Sequence, residues 1–249
     1  MRLRSLAQGV LLLASAHALA AQQPRVTVTL LGGQQWNSAL FSQTGSYTLG
    51  DQEWHMVKSM RVPEATIAGA RVTARVAGPW LMYAGLSHGS SRMGYVDDTR
   101  STLPDGSELV SRHESIRPAR ITTVGAGVGR GVPLPRGFPE LELTVGGALQ
   151  RFGIDRVQFL CGAPSQGVPC GDEDPWESSY TVPSASGGLT LRQAITPRLG
   201  LELRSAYTVG RADTGGFHQD LPPEYDSVEA PKHQTVRTGE ASLGIWVRP

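Results

Sequence analysis

From Arg25 onward, apolar and polar residues alternate with a period of two, and a helical period is almost absent. Successive side chains of a strand point to opposite faces, so a chain patterned this way builds β-sheet with one apolar and one polar surface. Residues 66–76 show the pattern most fully. Thr66, Ala68, Ala70, Val72, Ala74 and Val76 share one face, and Ile67, Gly69, Arg71, Thr73 and Arg75 the other. Seven further segments read alike: 25–36, 80–89, 121–131, 141–152, 182–193, 199–210 and 233–247. Glycine, 30 of 249 residues, fits strands and turns better than helices.

The connections between these eight segments alternate in length. Residues 77–79, 132–140 and 194–198 are short turns, whereas 37–63, 90–120, 153–181 and 211–232 are long loops. All the long connections therefore fall at one end of the sheet. Loops of that length are uncommon in compact domains unless they carry a function.

Residues 1–20 are expected to be a cleaved signal peptide. Arg2 and Arg4 supply the positive start, the run from Val10 to Ala14 the apolar core, and Ala18-Leu19-Ala20 the small-residue cleavage site. Residues 21–249 then form the mature domain. Beyond the leader there is no apolar stretch long enough for a membrane-spanning helix. A formal net charge of +1 excludes a bulk electrostatic nucleic-acid binder. Two cysteines are too few for a disulfide-dense scaffold or a structural zinc site. Export makes Cys161 and Cys170 a disulfide candidate that would tie down the third long loop.

An even set of antiparallel strands, with long loops at one end and short turns at the other, is the pattern of outer-membrane barrels. Parity alone leaves open which face looks inward. Small residues crowd the charged face, as a tight eight-stranded lumen requires. Aromatics on the apolar parity sit near the strand ends, with Trp36 and Tyr207 toward the long loops and Trp80 toward the short turns. Two such belts mark lipid–water boundaries; packing in a soluble core is the competing explanation. With the leader, the eight segments and the final strand ASLGIWVRP, the chain resembles the eight-stranded outer-membrane barrels of the outer-membrane protein A transmembrane type. That resemblance implies an all-β, antiparallel up-and-down transmembrane barrel with four long external loops and short periplasmic turns. One departure is visible. Such chains usually end on an aromatic residue, whereas here Trp246 is followed by Val247, Arg248 and Pro249, and it lies on the opposite parity from Leu243 and Ile245.

With the apolar face outward, Arg71, Arg75, Glu142, Arg192, Glu202, Arg204 and Glu240 point into the lumen, and the turn around Pro197 sets Arg192 opposite Glu202. Charges in a confined interior need partners, so a salt-bridged plug is expected; charges wetted separately by lumen water are the alternative. No P-loop, dinucleotide fingerprint, nucleophile elbow or zinc spacing occurs, and no cofactor or metal is implied. His88-Gly89-Ser90 resembles the His-x-Ser pair of outer-membrane lipid A deacylases, with Glu108 or Asp98 as a third member; polar residues at a strand end explain it as well. Asp97, Asp98, Asp172, Glu173 and Asp174 could bind cations or bridge lipopolysaccharide, or simply face solvent.

The residues thus leave three functions to weigh. The first is a monomeric, non-enzymatic bacterial outer-membrane barrel that touches lipid and lipopolysaccharide and offers its loops to external ligands. The second is a lipid A-modifying esterase using His88 and Ser90. The third is a soluble secreted barrel holding an apolar ligand.

Overall fold

The computed structural model describes residues 25–49, 52–132, 134–135, 138–154, 178–213 and 233–249. The leader, Cys161, Cys170, Asp172, Glu173 and Asp174 lie outside the described residues. The strands are β1 (Arg25–Asn37), β2 (Ala39–Leu49), β3 (Gln52–Arg61), β4 (Glu64–Ala77), β5 (Trp80–Thr102), β6 (Glu108–Val132), β7 (Glu140–Ile154), β8 (Ser178–Thr196), β9 (Leu199–Asp213) and β10 (His233–Val247). All pairings are antiparallel.

The sheet closes on itself. β1 pairs with β4, β4 with β5, and each later strand with the next until β10 returns to β1. The register can be followed once round this eight-stranded wall. It runs from Thr27 through Thr73, Tyr83, Gly127, Gly146, Ser186, Thr208 and Thr238 to Asn37. The circuit returns to β1 ten residues further on, and such a stagger obliges the strands to tilt by roughly 40°.

Side chains divide by parity as the alternation demands. Val28, Leu30, Val72, Met82, Leu86, Val124, Leu143, Leu149, Leu201, Leu203, Leu243 and Ile245 are exposed on the outer wall. On β9 this apolar stripe runs from Leu199 to Val209, which on tilted strands is roughly 25 Å. Trp36 and Tyr207 mark one margin of the stripe and Trp80 the other. Inward positions carry Thr27, Thr29, Arg71, Thr73, Glu142, Thr190, Arg192 and Glu202, all buried. Trp246 also points inward and is 3% exposed, with its Nε1–H donating to the Leu201 carbonyl at 3.2 Å. Its parity had set it apart from Leu243 and Ile245, and its place in the lumen follows from that.

Two of the four connections expected as loops are strand. Residues 90–102 and 108–120 continue β5 and β6 past the ring as a paired hairpin, up to Thr102 opposite Glu108. Its turn is closed by Gly106 N–H donating to the Leu103 carbonyl at 2.9 Å, with Gly106 at φ 82°, a conformation glycine adopts without steric cost. Residues 37–63 form the β2–β3 hairpin, whose β3 takes the place beside β5 that β4 vacates, from Arg61 opposite Gly94 onward. A sheet ordered β2-β3-β5-β6 thus projects from the long-connection end. The alternation was unreadable there because that sheet is polar on both faces over much of its length.

Candidate functional site

The lumen is the site that the fold assembles, and its filling changes along the axis. At the level of Arg71 and Glu202, four charged side chains from β4, β7, β8 and β9 meet. Arg192 Nε donates to Glu202 Oε2 at 2.7 Å, and its Nη1 donates to Glu142 Oε1 at 2.9 Å. Its Nη2 donates to Thr73 Oγ1 at 3.1 Å. Glu202 also accepts from the Thr29 hydroxyl at 3.0 Å and lies 3.5 Å from Arg71 Nη1. Arg71 donates to Thr190 Oγ1 at 3.0 Å and stacks on Tyr83, 4.7 Å from the ring centre. A guanidinium on an aromatic face gains further electrostatic attraction. Tyr83 has room because its neighbours are glycines: a Cβ on Gly127 would sit 2.8 Å from its ring.

Two positive and two negative groups thus cancel in a space with almost no solvent contact. The remaining lumen charges pair too. Arg204 bridges Glu240, which also accepts from the Ser242 hydroxyl at 3.3 Å. Arg75 lies at the short-turn rim, half-buried, and pairs at 3.1 Å with Glu140, a residue just before the segment read as strand. That partner evens the four-to-three imbalance of the sequence-derived set. A cavity of about 50 Å³ lies among Arg71, Tyr83, Thr123, Gln150, Arg204 and Glu240. It is large enough for a few waters.

Toward the long-connection end the filling becomes neutral and then apolar. Asn37 ties the transition. Its Oδ1 accepts from Gln35 Nε2 at 2.8 Å and from the Thr238 hydroxyl at 3.0 Å, while its Nδ2 donates to the Val62 carbonyl at 3.0 Å. Beyond it the chain turns inward, and Leu40 and Phe41 of β2 pack with Met60, Val62, Ile67, Met93, Ile121, Phe152, Val182 and Val236. Phe152, Met93, Val62, Val182 and Val236 are 0% exposed. This mouth was missed from sequence because Leu40, Phe41, Met60 and Val62 sat inside an expected loop. The available signal was the apolar residues at the long-loop ends of the lumen parity: Ile121, Phe152, Val182 and Val236.

His88 and Ser90 lie on the outer wall of β5, both exposed. His88 Nδ1 is bonded to Thr122 Oγ1 at 2.9 Å, and Ser90 stands opposite Arg120. Neither suggested carboxylate is beside them. Asp98 pairs across to Arg112 and is held bidentately by Arg100 at 2.9 and 3.0 Å, and Glu108 is opposite Thr102. The Arg100 hydrogen bonds keep the Asp98 carboxyl below its usual range.

No protein-family model and no curated protein matches the chain. Solved structures do. The crystal structure of Neisserial surface protein A is similar at TM-score 0.50 and 11% identity, over 92% of this chain and 100% of that one. The chain has the fold of an eight-stranded outer-membrane β-barrel. OprG from Pseudomonas aeruginosa is similar at TM-score 0.43 and 11% identity, over 91% of this chain and 97% of that one. The attachment invasion locus protein Ail of Yersinia pestis is similar at 0.39 and 10%, over 90% and 99%.

Proposed function

We propose that this chain is an integral, monomeric protein of the bacterial outer membrane, exported by a cleaved leader at residues 1–20, whose barrel is an anchor and not a conduit. Its external side would serve surface interaction or envelope integrity. The observation that carries this reading is the combination of an apolar outer wall with a lumen closed twice, by the Arg71–Glu142–Arg192–Glu202 cluster and by the apolar mouth. An exposed stripe of leucine and valine some 25 Å tall suits hydrocarbon and opposes a soluble barrel, whose apolar face would line the interior.

The β2-β3-β5-β6 sheet supplies the described part of the external surface, and the third long loop, which holds both Cys161 and Cys170, would add to it, stapled by their disulfide. The esterase alternative gains no support from the site, since His88 is engaged with Thr122 and not with Ser90. Fractionation of expressing cells with gel mobility before and after heating tests the anchor: a detergent-extracted band that shifts on boiling is expected, and a protein freely soluble after osmotic release would refute it. Planar-bilayer recording tests the plug, and large stable conductance would overturn it. Unchanged acylation of lipid A in expressing cells, by mass spectrometry, is expected.

A further inference from the structure

The outer wall carries a feature that neither the lumen nor the anchor role uses. Arg61 on β3, Arg92 on β5, Arg120 on β6 and Arg151 on β7 are all exposed on the outer parity. Among the described residues none of them is in an ion pair. The register places them in one diagonal row. Gly94 stands opposite Arg61, and Arg92 is two residues below it. Pro118 stands opposite Arg92, and Arg120 is two below. Gly153 stands opposite Arg120, and Arg151 is two below. Diagonal neighbours of this kind are about 7–8 Å apart.

The tilt of the wall turns this diagonal into a belt. A stagger of ten residues over eight strands lifts each sideways step by about 1.25 residues, so two residues back along the strand leaves a drop of only about 2 Å. The row therefore runs nearly level round one side of the barrel. Past β8, which carries no arginine at this level, Arg211 on β9 and Arg237 on β10, also exposed, stand in the same diagonal relation to each other, through Thr235 opposite Arg211. The belt begins where the apolar stripe ends. Arg151 follows Leu149 by two residues on β7, and Arg211 follows Val209 by two on β9. Glu64 shares this face on β4, and no ion pair joins it to Arg92.

Like charges at such spacing repel, and guanidinium forks match phosphate oxygens bidentately. A level row at the hydrocarbon margin, on the long-connection side, faces the headgroups of the external leaflet. We propose that Arg92, Arg120 and Arg151, flanked by Arg61, form a binding site for the phosphates of an outer-leaflet phosphorylated glycolipid of the lipid A class. This rests on the anchor reading above and assigns residues and a phosphate chemistry to the lipid contact expected from the sequence.

The test uses the full-length protein, refolded into phosphatidylcholine vesicles containing bis-phosphorylated lipid A, fully dephosphorylated lipid A, or phosphatidylglycerol. Lipid retained after detergent extraction is then measured. The native protein should retain bis-phosphorylated lipid A, and Arg92→Gln/Arg120→Gln/Arg151→Gln should weaken that affinity about 100-fold, with about five-fold from Arg120→Gln alone, as expected for exposed arginines at an anionic surface. Equal retention by native and triple variant, or undiminished binding of dephosphorylated lipid A, would overturn the site. Equal affinity for phosphatidylglycerol would overturn the glycolipid assignment. A native protein without heat-modifiable mobility would instead sink the anchor reading on which the site depends.

Discussion

The deep lumen holds Arg71, Glu142, Arg192 and Glu202, whereas its mouth holds Leu40, Phe41, Met60, Met93, Phe152 and Val182, and both regions are almost fully buried. In the first, each side chain needs particular partners from other strands, and Glu202 alone serves Thr29, Arg71 and Arg192. In the second, any apolar group of suitable volume would fill the space. The comparison teaches that burial fixes neither tolerance nor mechanism. The ionic layer is sensitive to charge and register, and the mouth is sensitive to volume.

Variants that separate the two follow in order of expected effect. Glu202→Gln leaves Arg71 and Arg192 with one carboxylate between them and should cost about 4 kcal/mol, the range for breaking a buried pair. It is read as a lowered midpoint of the heat-dependent gel shift, and an unchanged midpoint would show that solvent compensates these charges. Removing one cation with it, in Arg192→Met/Glu202→Leu, leaves Arg71 to balance Glu142 and should recover at least half of the loss. Phe152→Ala should cost about 3 kcal/mol through the cavity it leaves, while Phe152→Leu should cost roughly 1 kcal/mol; urea titration of the two in vesicles checks the ratio. If the mouth proved as intolerant of Leu as of Ala, shape and not volume would govern it.

The outer wall supplies a control for both. Leu243→Arg changes no lumen contact, yet should cost about 2–3 kcal/mol in vesicles because the stripe faces hydrocarbon. An unaffected variant would place that wall in water. The smallest effect belongs to the projecting hairpin. Arg100 holds the Asp98 carboxyl below its ordinary value of 3.8, so this contact is intact above that pH and is lost as pH falls through the lower folded value. Amide exchange at 98–112 should therefore be steady from neutral pH down to about 5 and speed up only in stronger acid, relative to Asp98→Asn.

Much of this was legible in the sequence, for physical reasons that differ by region. All eight wall segments and their parities could be read because hydrocarbon on one side and a tight polar lumen on the other force strict alternation. The pairing of Arg192 with Glu202 was legible because the short turn after Ile195 fixes local register. The meeting of Arg71 with Glu202, 131 residues apart, was not, since it depends on the closure of the whole ring. The β5–β6 extension and the β2–β3 hairpin were hidden because neither has a hydrocarbon face to impose alternation. The arginine belt was hidden too, as residues 61, 92, 120 and 151 acquire a common height only once tilt and stagger are known.

The pairing of β10 with β1 has a consequence for biogenesis. A wall whose first and last strands are each other's neighbours has no seam-free intermediate. Until the fifteen residues of the last strand, His233–Val247, are in place, Arg25–Asn37 has no mate along one edge. An unfinished ring thus carries two raw strand edges that only the pairing of β1 with β10 can mend.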